Sequence, residues 1–173
     1  MAERTGIIFM GGKPITLIGN EIKVGDTAPD FETLNANLEP VKLSSFKGKV
    51  VIISTVTSLD TLVCDLETKH FNDEAKKLGD NVVFLTVSMD LPFAQKRWAS
   101  EAGAENINLA SDHRDSSLGM AYGVLIKGLR LLARTVFVIG KDGKVKYIQY
   151  VKENGTEPDY DEVLAAVKKA LGA

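Results

Sequence analysis

KVVIISTVTSLDTLVC, residues 49–64, sets a β-branched apolar run against a polar loop and then the only cysteine of the chain. The first half, 49–56, is apolar at nearly every position. A strand exposed on one face would alternate, so this run predicts a strand covered on both faces, as in the middle of a parallel sheet. The second half turns polar at Thr57-Ser58-Leu59-Asp60, a loop. Asp60 or Thr61 then suits the N-cap of a helix, which places Cys64 in its first turn.

The same alternation continues outward. Residues 63–79 read as a helix, with Val63, Leu66, Phe71, Ala75 and Leu78 as its apolar stripe and Gly79 as its stop. VVFLTVS (82–88) is a second buried strand. PFAQKRWASEA (92–102) is a helix that opens on proline, where the missing N–H has no intrahelical partner anyway, and ends at Gly103. INLAS (107–111) is a short strand and SSLGMAYG (116–123) a short helix. RTVFVI (134–139) and VKYIQYV (145–151) flank a KDG turn and form a hairpin. Tyr160, Val163, Leu164, Val167 and Leu171 mark a last amphipathic helix. Before residue 49 lie a hairpin over 6–18 around Gly11-Gly12-Lys13, a loop at GDTAPDF (25–31) and a short strand at 40–43. The order is a hairpin, β-α-β-α-β-α, then β-β-α. That is an α/β protein with a mixed sheet flanked by helices on both faces, a thioredoxin-like core behind an N-terminal β-hairpin. At 173 residues, one domain over 1–173 is expected.

Composition narrows the function. A net charge of -2 gives no basic footprint for nucleic acid or an anionic membrane surface. No apolar run approaches the ~20 residues of a membrane span. MAERTGIIF lacks the pattern of a signal peptide. One cysteine precludes an intrachain disulfide and fits a reducing compartment, so a cytoplasmic location is expected. His70 and His113 have no ligand spacing and read as surface residues. Gly11-Gly12 and residues 140–143 read as turns, and Trp98 as half-buried packing. No metal, nucleotide or other cofactor motif is present.

Cys64 has two readings. The free N–H groups and positive dipole end of a helix N-terminus favour a thiolate, the form that attacks electrophiles. A free cysteine is also among the most buried residue types and often serves only as packing. Its placement leaves both open.

SLDTLVC (58–64) closely resembles the peroxidatic motif of the thiol peroxidases, a branch of the peroxiredoxins. GDTAPDF (25–31), SMDLPFAQKRW (88–98), SDHRD (111–115), YGV (122–124), LRLLARTVFVI (129–139) and TEPDY (156–160) resemble further blocks of that family, in its order along nearly the whole chain. The resemblance implies reduction of hydrogen peroxide or small alkyl hydroperoxides without a cofactor. It implies that Cys64 is the peroxidatic cysteine, Thr61 the hydroxyl that hydrogen-bonds peroxide, and Arg134 the arginine facing the thiolate. It also implies an external thiol reductant, thioredoxin in the family, and a homodimer.

Two departures stand out. The family motif carries proline seven residues before the cysteine, where this chain has Thr57. Most relatives carry a resolving cysteine directly after KRW or KRF, where this chain has Ala99. The sulfenic acid on Cys64 must then be resolved by another molecule's thiol, persist, or overoxidise. Two readings follow. One is a peroxidase with a one-cysteine cycle, or a two-cysteine enzyme stopped by substitution at Ala99. The other is a weakly active or inactive redox sensor or binding module.

Overall fold

The computed structural model describes residues 2–172. An N-terminal hairpin, Glu3–Met10 (β1) and Lys13–Ile18 (β2), is followed by two-residue strands Thr33–Leu34 (β3) and Pro40–Val41 (β4) and a 3-10 turn, Leu43–Phe46. The alternating core runs Val50–Thr55 (β5), Leu62–Leu78 (α1), Val82–Ser88 (β6), Pro92–Ala102 (α2), Asn108–Ser111 (β7) and Ser117–Ala121 (α3). Short strands Leu125–Ile126 (β8) and Leu131–Leu132 (β9) precede Thr135–Ile139 (β10), Val145–Tyr150 (β11) and Tyr160–Gly172 (α4).

The central sheet has seven strands in the order β11-β10-β5-β6-β7-β3-β4. β5 pairs parallel with β6 and antiparallel with β10, so it is interior, and all of its residues are buried. Its alternate side chains supply two cores. Val50 and Ile52 face Phe71 of α1 and Val163 and Val167 of α4. Val51 and Ile53 face Leu118 of α3, with Tyr122, Leu125 and Leu132. Helices therefore cover both faces, the fold class expected from the sequence.

The N-terminal hairpin forms where the two glycines allow it. Gly11 and Gly12 have φ of 58° and 76°, the left-handed pair that a two-residue hairpin turn needs. Its sheet was not foreseen. β2 pairs with β8 and β8 with β9, giving a separate four-stranded antiparallel sheet. Strands of two residues carry no periodicity from which to read them. The hairpin also grips the segment after β11. Phe9 donates its backbone N–H to Lys152 and accepts from Asn154, both at 2.7 Å. The Glu153 carboxylate takes the N–H groups of Gly11 at 3.0 Å and Gly12 at 3.1 Å.

Some boundaries and faces are corrected. Of residues 40–43 only Pro40–Val41 is strand, since Leu43 opens the 3-10 turn. The third core strand starts at Asn108. On α1, Leu66 is exposed and Val63 half-buried, while Cys64, Glu67, Thr68, Phe71 and Asn72 face inward. The helix is rotated from the apolar-only stripe because its first turns pack on a buried polar group described below. His70 is half-buried, stacked on Tyr160 with ring centroids 3.8 Å apart. Trp98 is buried and not half-buried, its Nε1–H donating to Asp65 at 2.8 Å. No helix among the described residues is long and apolar enough to cross a membrane.

Candidate active site

The loop between β5 and α1 is held from below. Asp90, just past β6, accepts from Ser58 Oγ at 2.7 Å and from the backbone N–H of Leu59 at 2.9 Å. Thr61 follows as N-cap with extended backbone, φ -99° and ψ 146°. Cys64 is then the third residue of α1, as expected, and it has no exposed surface. It packs with Val56, Leu59, Trp98 and Ala104, and Ala99 lies against the same cluster.

Arg134 sits immediately before β10, beside β5, and is 2% exposed. Burying a guanidinium is tolerable only with its donors engaged. Each of its side-chain nitrogens has a different partner. Nη2 donates to Cys64 Sγ at 3.2 Å, Nη1 to the Glu67 carboxylate, and Nε to the backbone carbonyl of Asn154 at 2.8 Å. The backbone N–H of Arg134 donates to Asn154 Oδ1 at 2.7 Å. The fold thus brings Arg134 and Cys64 together across 70 residues of sequence.

Thr61 is placed differently. It is exposed, and its hydroxyl donates to the Ser58 carbonyl at 2.8 Å. It caps α1 by position only, with no side-chain bond to the helix N–H groups. The hydroxyl proton is thus committed to the loop. The oxygen's remaining capacity is as an acceptor at the mouth of the loop.

Sequence reading missed Glu67 and Asn154. Glu67 is fully buried, and its other oxygen accepts from Ser54 Oγ at 2.9 Å. It lies three residues after Cys64, one turn along the same helix face, so an acid at that spacing was a signal available in the sequence. Asn154 is 20 residues from Arg134 and nothing local marks it. Burial pushes the Glu67 carboxyl up to about 7, against the pull of Arg134 and Ser54, with Glu157 adding a smaller push upward. Cys64 and Glu67 share one guanidinium. Burial therefore works against the ionised carboxyl beside that shared cation.

Among the described residues no group of three or more His, Cys, Asp or Glu is placed to hold a metal ion. Two larger surface grooves, one walled by Thr27, Phe46 and Lys141 and one by Val24, Tyr147 and Ala170, lie away from Cys64 and Arg134.

Residues 23–164 match the redoxin family. A thiol peroxidase of Halalkalibacterium halodurans is 56% identical over 164 residues, covering 95% of this chain and 98% of that one. A thiol peroxidase of Bacillus subtilis is 54% identical, covering 97% of this chain and 98% of that one. Among solved structures, a peroxiredoxin-like protein from Aquifex aeolicus is similar with a TM-score of 0.89 at 45% identity, covering 96% of this chain and 97% of that one. A thiol peroxidase from Chromobacterium violaceum shares the fold, with a TM-score of 0.84 at 20% identity over 95% of this chain and 97% of that one.

Glu67 gives a signed pH prediction. Its carboxyl is near 4.5 when unfolded and about 7 when folded, so between those values the native state holds the extra proton. Stability linked to this group then falls as pH rises through that window. Wild type should lose stability relative to Glu67→Gln between about pH 5 and about pH 8, as read from urea melts of both proteins. A stability difference independent of pH would contradict it.

Proposed function

The chain belongs to the redoxin family, among the thiol peroxidases, and from that premise we propose that it is a thiol-dependent peroxidase whose attacking atom is Cys64 Sγ. The observation that carries this reading is the 3.2 Å bond from buried Arg134 to that sulfur. The thiolate attacks the nearer oxygen of hydrogen peroxide or a small alkyl hydroperoxide. An S–O bond forms, the O–O bond breaks, and the departing hydroxide or alkoxide takes up a proton, equal to the one the thiol gave up, to leave as water or alcohol. Arg134 stabilises the thiolate and the charge that builds on the departing oxygen. Thr61 accepts the peroxide O–H, the role left to an oxygen whose own proton is held by Ser58. Because Cys64 has no exposed surface, peroxide meets it only when the loop or the first turn of α1 opens.

Cys64 is the only cysteine, so the sulfenic acid is resolved by an external thiol. That thiol forms a mixed disulfide and releases water. A second thiol then frees Cys64 and carries the disulfide away. A cytoplasmic, reducing setting suits this cycle. A second copy suits the exposed apolar side chains at this end: Leu62 and Leu66, one turn apart on α1, with Leu91 and Phe93 at the start of α2. Sedimentation across protein concentration tests that homodimer. The burial of the sulfur favours one other reading, a slow sensor that holds its oxidised state.

Trp98 is the only tryptophan and packs in the Cys64 cluster, so its fluorescence can follow oxidation. Arg134→Met should slow reaction with peroxide roughly a hundredfold, the cost of one donor at a developing anion. An unchanged rate would remove Arg134 from the chemistry. Ala99→Cys tests the other end of the cycle. After peroxide it should give an intrachain disulfide with Cys64 by non-reducing peptide mapping, and less sulfinic acid under excess peroxide. A variant that is oxidised yet never forms that disulfide would show that α1 and α2 do not part far enough.

A further inference from the structure

Thr57 stands where the related motif has proline, and its hydroxyl is not idle. Asn154 Nδ2 donates to Thr57 Oγ1 at 2.9 Å. The other end of the same amide, Oδ1, accepts from the backbone N–H of Arg134 at 2.7 Å, and the backbone carbonyl of Asn154 accepts from Arg134 Nε at 2.8 Å. Asn154 is 5% exposed, so an amide group left without a partner there would be costly.

These bonds fix one another. The Arg134 N–H can only donate, so the Asn154 amide must turn Oδ1 toward it. Nδ2 is then forced toward residue 57 and requires an acceptor there. A threonine hydroxyl supplies one, and a proline ring has none. The backbone of Asn154 is held on its far side, where its N–H donates to Phe9 of the N-terminal hairpin at 2.7 Å. Asn154 therefore grips Arg134 at both the main chain and the root of the guanidinium. It is itself gripped by the β5–α1 loop and by the hairpin.

We infer that Thr57 and Asn154 act as a pair of positioning residues, the Thr57 hydroxyl locking the Asn154 amide so that Arg134 holds its guanidinium against Cys64. Neither residue is bonded to the sulfur. It sets how well the cation is aimed. The inference rests on Arg134 acting on the Cys64 sulfur as proposed above, but alkylation of Cys64 reports on that aim without peroxide.

The test uses Thr57→Val, which keeps nearly the same shape without an acceptor, Thr57→Ser, which restores the hydroxyl, Asn154→Ala, and the double variant Thr57→Val/Asn154→Ala. Two readouts are taken: the rate of Cys64 alkylation by iodoacetamide against pH, and the rate of oxidation by hydrogen peroxide from Trp98 fluorescence. Thr57→Val and Asn154→Ala should each displace the alkylation profile toward higher pH. Each should slow oxidation roughly five- to tenfold, the scale of one or two hydrogen bonds. Thr57→Ser should match wild type. The double variant should be no slower than Asn154→Ala alone, because both changes cut one path. An unmoved profile and rate in Thr57→Val would overturn the inference. So would a Thr57→Ser as slow as Thr57→Val, or effects that multiply in the double variant. If Asn154→Ala does not fold, the valine and serine variants decide the matter. If wild type ignores peroxide while the alkylation profiles move as stated, the peroxidase reading fails and the positioning role stands.

Discussion

A single buried guanidinium ties this molecule together. Arg134 is 2% exposed, and its charge cannot be carried into the core without an engaged partner for each nitrogen. The partners come from separate parts of the chain: Cys64 and Glu67 from one face of α1, Asn154 from the segment after β11. Meeting them fixes the rotation of α1, the path of residues 151–154 and, through Phe9, the seat of the N-terminal hairpin. The second sheet, which looks like an appendage to a thioredoxin-like core, is thereby connected to the Cys64 sulfur.

Two acids around one cation also divide its charge. A buried carboxylate as close to the guanidinium as Glu67 would compete with the sulfur for it. Burial weakens that competition by pushing the Glu67 carboxyl up to about 7, while its oxygens accept from Ser54 and Arg134. The same burial leaves the sulfur with no surface of its own. On the proposed mechanism, reaction at Cys64 depends on opening. The parts that would move, the loop from Thr57 and the first turn of α1, are held by bonds from Asp90, Ser58 and Trp98, by Asn154 on Thr57 and by Arg134 on Cys64. Cys64 is sheltered among Val56, Leu59 and Trp98, with Ala99 and not a second thiol against the cluster.

Much of this was legible in the sequence because it is local. The continuous run at 50–55 gave a doubly covered strand, the proline at 92 and glycine at 103 bounded α2, and Cys64 fell in the first helical turn. The pairing of Cys64 with Arg134 came from resemblance to a family, since 70 residues separate them and no spacing rule joins them. The inward face of α1 does not follow its apolar stripe, because the helix turns to bring Cys64, Glu67 and Thr68 inward while Leu66 faces out. Asn154 was invisible for the same reason that β8 and β9 were. Their partners are set by tertiary topology, and two-residue strands or a lone asparagine leave no pattern in the chain. Thr57 was noticed only as a missing proline. Its bond to Asn154 gives the residue a positive part to play.

The central claim is that this buried sulfur reacts with peroxide because a guanidinium is aimed at it. The most direct check is the intact mass of the reduced protein after one equivalent of hydrogen peroxide, with and without a sulfenic-acid trap, followed by peptide mapping. The account predicts that one oxygen is added per chain, that the trap captures it, and that the modification maps to Cys64. A chain that keeps its mass, or that gains oxygen only on methionine, would contradict it.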